Sequence, residues 1–186
     1  MWNFFLTIFQ NLYQKRIVHS KINGKINIIR YPQSYEICCG GCFQSSVYMN
    51  RMWRKALKKI PKTKKSQKFL MLGLGGDGGV LEIWKFNKTA EITAIEYDPE
   101  MVLIAKSTYL KNIQNDKLCI IQKDALEFVT SCQQKFDVII FDLFCGKNIS
   151  PIAQSNIFLE NVKKILNKDG YLLVNYFASK KSFIVF

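Results

Sequence analysis

Histidine, acidic charge, paired metal ligands and long apolar runs are all scarce in this chain of 186 residues. His19 is the only histidine, and six cysteines accompany it. Cys39-x-x-Cys42 has metal or redox spacing, but no second cysteine pair completes it. A closed four-ligand zinc site therefore lacks its ligands, and no metal is expected. Nothing resembles a disulfide framework, so a reducing, cytoplasmic setting is expected. Cys119 and Cys145 fall in or beside strands expected to be buried, where a free thiol behaves as a small hydrophobe. No apolar run reaches the roughly 20 residues of a transmembrane helix. The opening stretch "MWNFFLTIFQNLYQKR" also lacks the basic start and small-residue cleavage site of a signal peptide. Trp2, Phe5, Phe9 and Leu12 share a helical face there, which suits a membrane-surface anchor or, more plainly, a helix packed on its own domain.

Acidic residues number 14 against 27 Lys and Arg, a formal charge of +13. Nine of the basic residues lie between Arg51 and Lys68. The plainer reading is a solvated helix face with a charged connector; a nucleic-acid patch is the minor one. With 48% apolar and 22% charged residues, the composition is that of an ordinary globular chain with one core. No internal repeat or low-complexity tract interrupts it.

The chain divides at about residue 50 into an amino-terminal unit (1–50) and an α/β domain (51–186). In the first, "IVHSKINGKINIIRY" carries Asn23-Gly24, a two-residue hairpin signal between alternating arms. "SYEICCGGCFQSS" reads as a further strand broken by Gly-Gly. From Ser46 to Ile60 the apolar residues recur at helical spacing, and Pro61 ends the pattern. Beyond the connector "KTKKSQK", strands and helices alternate. "KFLML", "EITAIEYD", "KLCIIQKD", "FDVIIFDLF" and "YLLVNYF" are the expected strands. Asp98 caps a helix with Pro99 at its first position, running through "MVLIAKSTYL". Ser150-Pro151 opens a long helix that Gly170 stops. This order predicts a doubly wound, mostly parallel α/β sheet with its ligand at the carboxyl ends of the strands.

There "GLGGDGGVLEIW" places Gly73-x-Gly75-x-x-Gly78 between a strand and a helix, the context of a dinucleotide fingerprint. Bare backbone lets a ligand approach, and a helix amino end favours negative charge. Asp77 changes that balance: a carboxylate repels a pyrophosphate and favours an ammonium or sulfonium group. Glu96, at the end of the second strand, has the form of a bidentate acceptor for ribose hydroxyls. Asp124, at the end of the third, suits an adenine amino group. Each acid alone also reads as a strand-end or capping residue. Together with the glycines they describe one pocket for a nucleoside cofactor with a positive tail.

The run from "LGLGGDGGVLEIWKF" through "ITAIEYDPEMVLIAKSTYL", "KLCIIQKDALEFV" and "KFDVIIFDLF" to "FLENVKKILNKDGYLLVN" resembles the cofactor domain of spermidine synthases and their relatives. These belong to the class I S-adenosylmethionine-dependent methyltransferase fold, a Rossmann-like sheet. The likeness covers roughly residues 17–177, and "GCFQSS" resembles the family's amino-terminal β unit. It implies S-adenosylmethionine or decarboxylated S-adenosylmethionine as cofactor. It also implies Gln44, Gly73, Gly75, Asp77, Gly78, Glu96 and Asp124 as its contacts, with Asp142 as the catalytic acid closing the fourth strand's end. The family's Asp-x-x-Asp-Pro pattern here reads Asp142-Leu-Phe-Cys145-Gly146, without the second acid that deprotonates the attacking amine. Trp53-Arg54-Lys55 stands where the family has Tyr-His-Glu, a basic rim that would repel a polyamine dication. Four readings follow: an aminopropyltransferase-like enzyme, a methyltransferase acting on an anionic or nucleic-acid substrate, a non-catalytic nucleoside-binding relative and, last, an NAD-dependent oxidoreductase. The carboxyl end is short for this fold, so an open sheet edge, and through it or the β unit a homo-oligomer, is also expected.

Overall fold

The computed structural model describes residues 13–61, 68–76, 78–111, 113, 115–145, 148–178 and 181–185. The amphipathic opening stretch and most of the charged connector lie outside these residues, as does Asp77.

Four antiparallel strands form the amino-terminal sheet: β1 (Gln14–Ser20), β2 (Gly24–Tyr31), β3 (Ser34–Cys39) and β4 (Cys42–Ser45), paired in chain order. The first hairpin closes with Ser20 opposite Gly24, so three residues rather than two make its turn. Gly24 takes the left-handed conformation (φ +64°) there. The two-residue turn falls at Gly40-Gly41 instead, where Cys39 pairs with Cys42.

Ser46 caps helix α1 (Val47–Leu57), its hydroxyl accepting from the Met49 N–H. α1 runs across the position-50 boundary, buries Met52, Trp53, Ala56 and Leu57, and packs against helix α2 (Gly78–Phe86).

The second sheet is built on β5 (Lys68–Leu72), β6 (Glu91–Glu96), β7 (Leu118–Gln122), β8 (Phe136–Phe141) and β11 (Leu166–Ala178). These five are parallel and lie in the order β7-β6-β5-β8-β11. Between β8 and β11 the two-residue strands β9 (Phe144–Cys145) and β10 (Asn148–Ile149) pair with each other. Because side chains alternate across a strand, β5 supplies two cores. Phe69 and Met71 pack with the amino-terminal sheet, α1, α2 and helix α3 (Pro99–Ser107). Leu70 and Leu72 pack on the opposite face with helices α4 (Ala125–Ser131) and α5 (Asn156–Ile165). All four are at most 1% exposed, as a central strand covered on both faces requires. The expected doubly wound α/β architecture is present.

Four details differ from expectation. The long helix from Pro151 is a short 3-10 turn, Pro151–Gln154, followed by α5, because Ser155 breaks the run and caps α5 through the Phe158 N–H. Gly170 lies within β11, where the pairing with β8 shifts register between Leu166 and Tyr171, so it stops no helix. Cys119 is exposed on the edge strand β7 rather than buried. The edge of β11 is not open: β12 (Lys181–Val185) pairs with it antiparallel.

Candidate functional site

At the carboxyl end of the sheet Leu72 pairs with Ile95 on one side and Phe141 on the other. The next residues of the three central strands, Gly73, Glu96 and Asp142, are therefore brought level. Gly73 donates its N–H to Ile95 O (3.0 Å), and Asp142 donates its own to Leu72 O (2.8 Å). Gly73 has φ +86°, and a Cβ there would stand 2.2 Å from Asp142 O, so position 73 admits only glycine. A Cβ on Gly75 would meet Gln44 O at 3.0 Å, and one on Gly78 would meet Asn50 Oδ1 at 1.5 Å. The loop is bare largely because other backbone and side chains press on it.

Several of its amide hydrogens are also engaged. Glu96 Oε2 accepts from Leu74 N (3.1 Å) and Gly75 N (2.9 Å), while Oε1 accepts from Asp98 N (2.9 Å). The first N–H of α2, that of Gly78, donates to Ser45 Oγ at 3.0 Å. Burial pushes the Glu96 carboxyl above the ordinary carboxylate range, against the backbone N–H groups that favour its charge.

Asp142 is half-buried beside Gly73. Asn175, on β11, donates from Nδ2 to Asp142 Oδ1 at 2.7 Å, and the nearby Trp53 side chain also favours the carboxyl's charge. Desolvation nevertheless pushes the Asp142 pKa up to about 6, outweighing those two side chains and reinforced by the Glu96 charge. Asp142 thus changes charge close to neutral pH.

Of the residues expected in the site, Gln44, Gly73, Gly75, Gly78, Glu96 and Asp142 converge on the loop. Asp124 follows β7, the neighbour of β6, and serves as the cap of α4. Its Oδ1 accepts from Leu126 N (2.8 Å) and Glu127 N (3.1 Å). Asp77 and the side chain of Cys145 lie outside the described residues. Arg54 does not form a rim over the site. Its Nε and Nη2 donate to Glu82 on α2 at 2.7 and 2.9 Å, and Lys85 Nζ adds a third contact at 2.9 Å. Burial raises Glu82, but these cations outweigh it and hold the carboxyl below its usual range.

Trp53 and Asn175 escaped the sequence reading. Trp53 looked like one more apolar position of a helix. Asn175 carried a usable signal, as an amide inside the otherwise apolar strand "YLLVNYF". Asp98, read only as a cap, also receives hydrogen bonds from Ser20 Oγ (2.5 Å) and Asn23 Nδ2 (2.6 Å), which dock the first hairpin on α3. Among the described residues no group of three His, Cys, Asp or Glu is placed to hold a metal ion.

Comparison with known proteins agrees with this architecture. "Polyamine aminopropyltransferase 2" of Aquifex aeolicus is 26% identical over 175 residues, covering 88% of this chain and 35% of that protein. The Drosophila melanogaster "eEF1A lysine and N-terminal methyltransferase homolog" is 28% identical over 172 residues, 87% of this chain and 25% of the relative. Among solved structures, a spermidine synthase in complex with the transition-state analogue AdoDATO superposes with a TM-score of 0.69 at 21% identity. That superposition covers 86% of this chain and 56% of the other, and it shows a shared fold. The chain spans about a quarter to a half of the length of these curated relatives and others like them. The spermine/spermidine synthase domain matches residues 51–181, which takes in the glycine loop, Glu96, Asp124, Asp142 and β11: the chain belongs to the spermine/spermidine synthase domain family.

Proposed function

We propose that this chain is a spermidine synthase-like transferase domain that binds S-adenosylmethionine or decarboxylated S-adenosylmethionine at the carboxyl edge of the sheet. Gln44, Gly73, Gly75, Asp77, Gly78, Glu96 and Asp124 are its cofactor residues, and Asp142 is the acid at the reacting end. The engagement of the loop amides is the observation that carries this reading. A phosphate cradle needs free backbone N–H groups at the loop and helix start. Here those of Leu74, Gly75 and Gly78 already point at Glu96 and Ser45. What the loop offers a ligand is carboxylate, which suits hydroxyl donors and a positive centre.

A bound cofactor of this class supplies a sulfonium-activated carbon open to a nucleophile. This chain's residues would orient it. Glu96 retains acceptor capacity beyond its backbone bonds, and Asp124 retains Oδ2 for an adenine amino group. Asp142, held in place by Asn175, would accept the proton of the attacking amine once the pH exceeds about 6. With Cys145 at the position of the second acid, a polyamine dication meets one carboxylate in place of two. A methyl-transfer reaction is the second reading, favoured by the likeness to the Drosophila methyltransferase homolog over 87% of the chain.

Calorimetry with S-adenosylmethionine, its decarboxylated form and methylthioadenosine tests the binding claim. Saturable binding of at least one is expected, and silence from all three at high micromolar concentration would overturn it. Turnover with a diamine panel, set against methyl transfer to protein or RNA, separates the two chemistries.

A further inference from the structure

The inner face of the amino-terminal sheet changes character along its length. In an antiparallel sheet directly opposed residues share a face. Ile28 opposes Ile37, and both are buried in the core; Arg16 opposes Ile28 on that same face. Two residues further along β2 comes Arg30, opposite Gln14 and Tyr35, again on the inner side. Alternation would continue the apolar core at these positions, yet the chain places two guanidinium groups there.

The outcome is a cleft of about 560 Å³ between this sheet and the end of α3. Lys15, Arg16, Arg30 and Lys111 line it, with Tyr35 and Thr108 among the remaining walls, and no acid is in its lining. None of the ion pairs among the described residues engages these four cations. The walls are fixed. Tyr35 stacks edge-on against Tyr109 with centroids 5.5 Å apart, and the Tyr109 hydroxyl donates to Tyr35 O. Thr108 Oγ1 shares its one hydrogen between Ile104 O (2.7 Å) and Gly76 O (3.1 Å), tying the cleft to the back of the glycine loop.

From this arrangement we infer that the cleft is a second binding site, for a small molecule carrying two or more phosphate charges. Its volume falls in the range of about 300–1,000 Å³ common to small-molecule sites. Two guanidinium forks match phosphate oxygens in pairs, and Lys111 adds a point charge. A half-buried tyrosine ring gives a flat wall for the rest of the ligand. No basic residue of α1 is in the cleft's lining, and Arg54 is bound to Glu82. The cleft is also separate from the sulfonium site, whose acids would repel such a ligand.

Titration of the chain with inorganic pyrophosphate at low salt, followed by calorimetry, tests the inference. One saturable site is expected. The Arg16→Ser/Arg30→Ser double variant should weaken it by about tenfold or more. Lys58→Gln/Lys59→Gln, which removes the same charge elsewhere, should change it by no more than about twofold. Lys111→Gln gives an independent reading should the arginine variant fold poorly, and it too should weaken binding. Equal losses in the cleft and control variants, or no saturation, would overturn the assignment. Tight binding of a single-stranded RNA that depends on Lys58 and Lys59 but not on the cleft arginines would also overturn it.

Discussion

Replacing Asp142 by asparagine should make the protein more stable at neutral pH while damaging its chemistry. In the folded state this carboxyl titrates at about 6 against an ordinary 3.8, because burial beside Gly73 and near Glu96 opposes its charge. The folded protein therefore holds the proton more tightly than the unfolded chain does. Stability from this group is complete below pH 3.8 and is lost as the pH rises through about 6. The displacement corresponds to about 3 kcal/mol at most, since each pKa unit is worth about 1.4 kcal/mol. Asparagine keeps the shape and cannot ionise, so Asp142→Asn removes this loss. Urea denaturation of both proteins from pH 4 to pH 8 measures the effect, because groups outside the Asp142–Glu96 pair titrate alike in the two. The stability difference, variant minus parent, should grow in the variant's favour by about 2–3 kcal/mol between pH 4 and pH 7. A difference that stays flat across this range, or grows in the opposite direction, would refute the reasoning. Transfer activity of the parent, where present, should fall as the pH drops below about 6, because only the carboxylate accepts a proton.

Glu82 should behave in the opposite sense. Its carboxyl is held below the usual range by Arg54 and Lys85, so its contribution is present above the unfolded pKa and fades as the pH falls through the folded one. Glu82→Gln should cost about 2 kcal/mol at pH 7, less than the 3–5 of a wholly buried pair because Arg54 is half exposed, and less at pH 3; the same denaturation series measures it. Gly78→Ala places a methyl 1.5 Å from Asn50 Oδ1 and should cost about 2 kcal/mol or more in thermal melts. Asp98→Ala removes the acceptor of Ser20, Asn23 and the Glu100 N–H together. A loss of about 3 kcal/mol is expected, with faster hydrogen exchange in the β1–β2 turn.

The doubly wound order was legible because apolar runs, capping residues and turn signals agreed along most of the chain. Asp98-Pro99 marked the start of α3, and the fully apolar "FLML" marked a strand covered on both faces. The break at Ser155 was not legible. Its apolar spacing continues as if helical, and only the hydroxyl's bond to the Phe158 N–H shows that a new helix starts. Gly170 misled because glycine serves equally to end a helix and to pass through an irregular strand. In the candidate site the loop and its acids could be read from spacing, since each follows the end of a strand. The second layer could not. Trp53 approaches Asp142 from a helix far back in the sequence, and its apolar environment hides the one polar atom that matters. The glycines themselves looked like room for a ligand, whereas Asp142, Gln44 and Asn50 occupy much of that room.

On the function proposed above, the glycine loop is a carboxylate-lined nucleoside seat and not a phosphate cradle. A crystal structure of the chain soaked with methylthioadenosine tests it most directly. The ribose hydroxyls should lie about 2.7–3.0 Å from the Glu96 carboxylate, with the bonds from Leu74 and Gly75 to that carboxylate intact. A ligand seated elsewhere, or a soak with a dinucleotide that turns those amides onto its pyrophosphate, would contradict it.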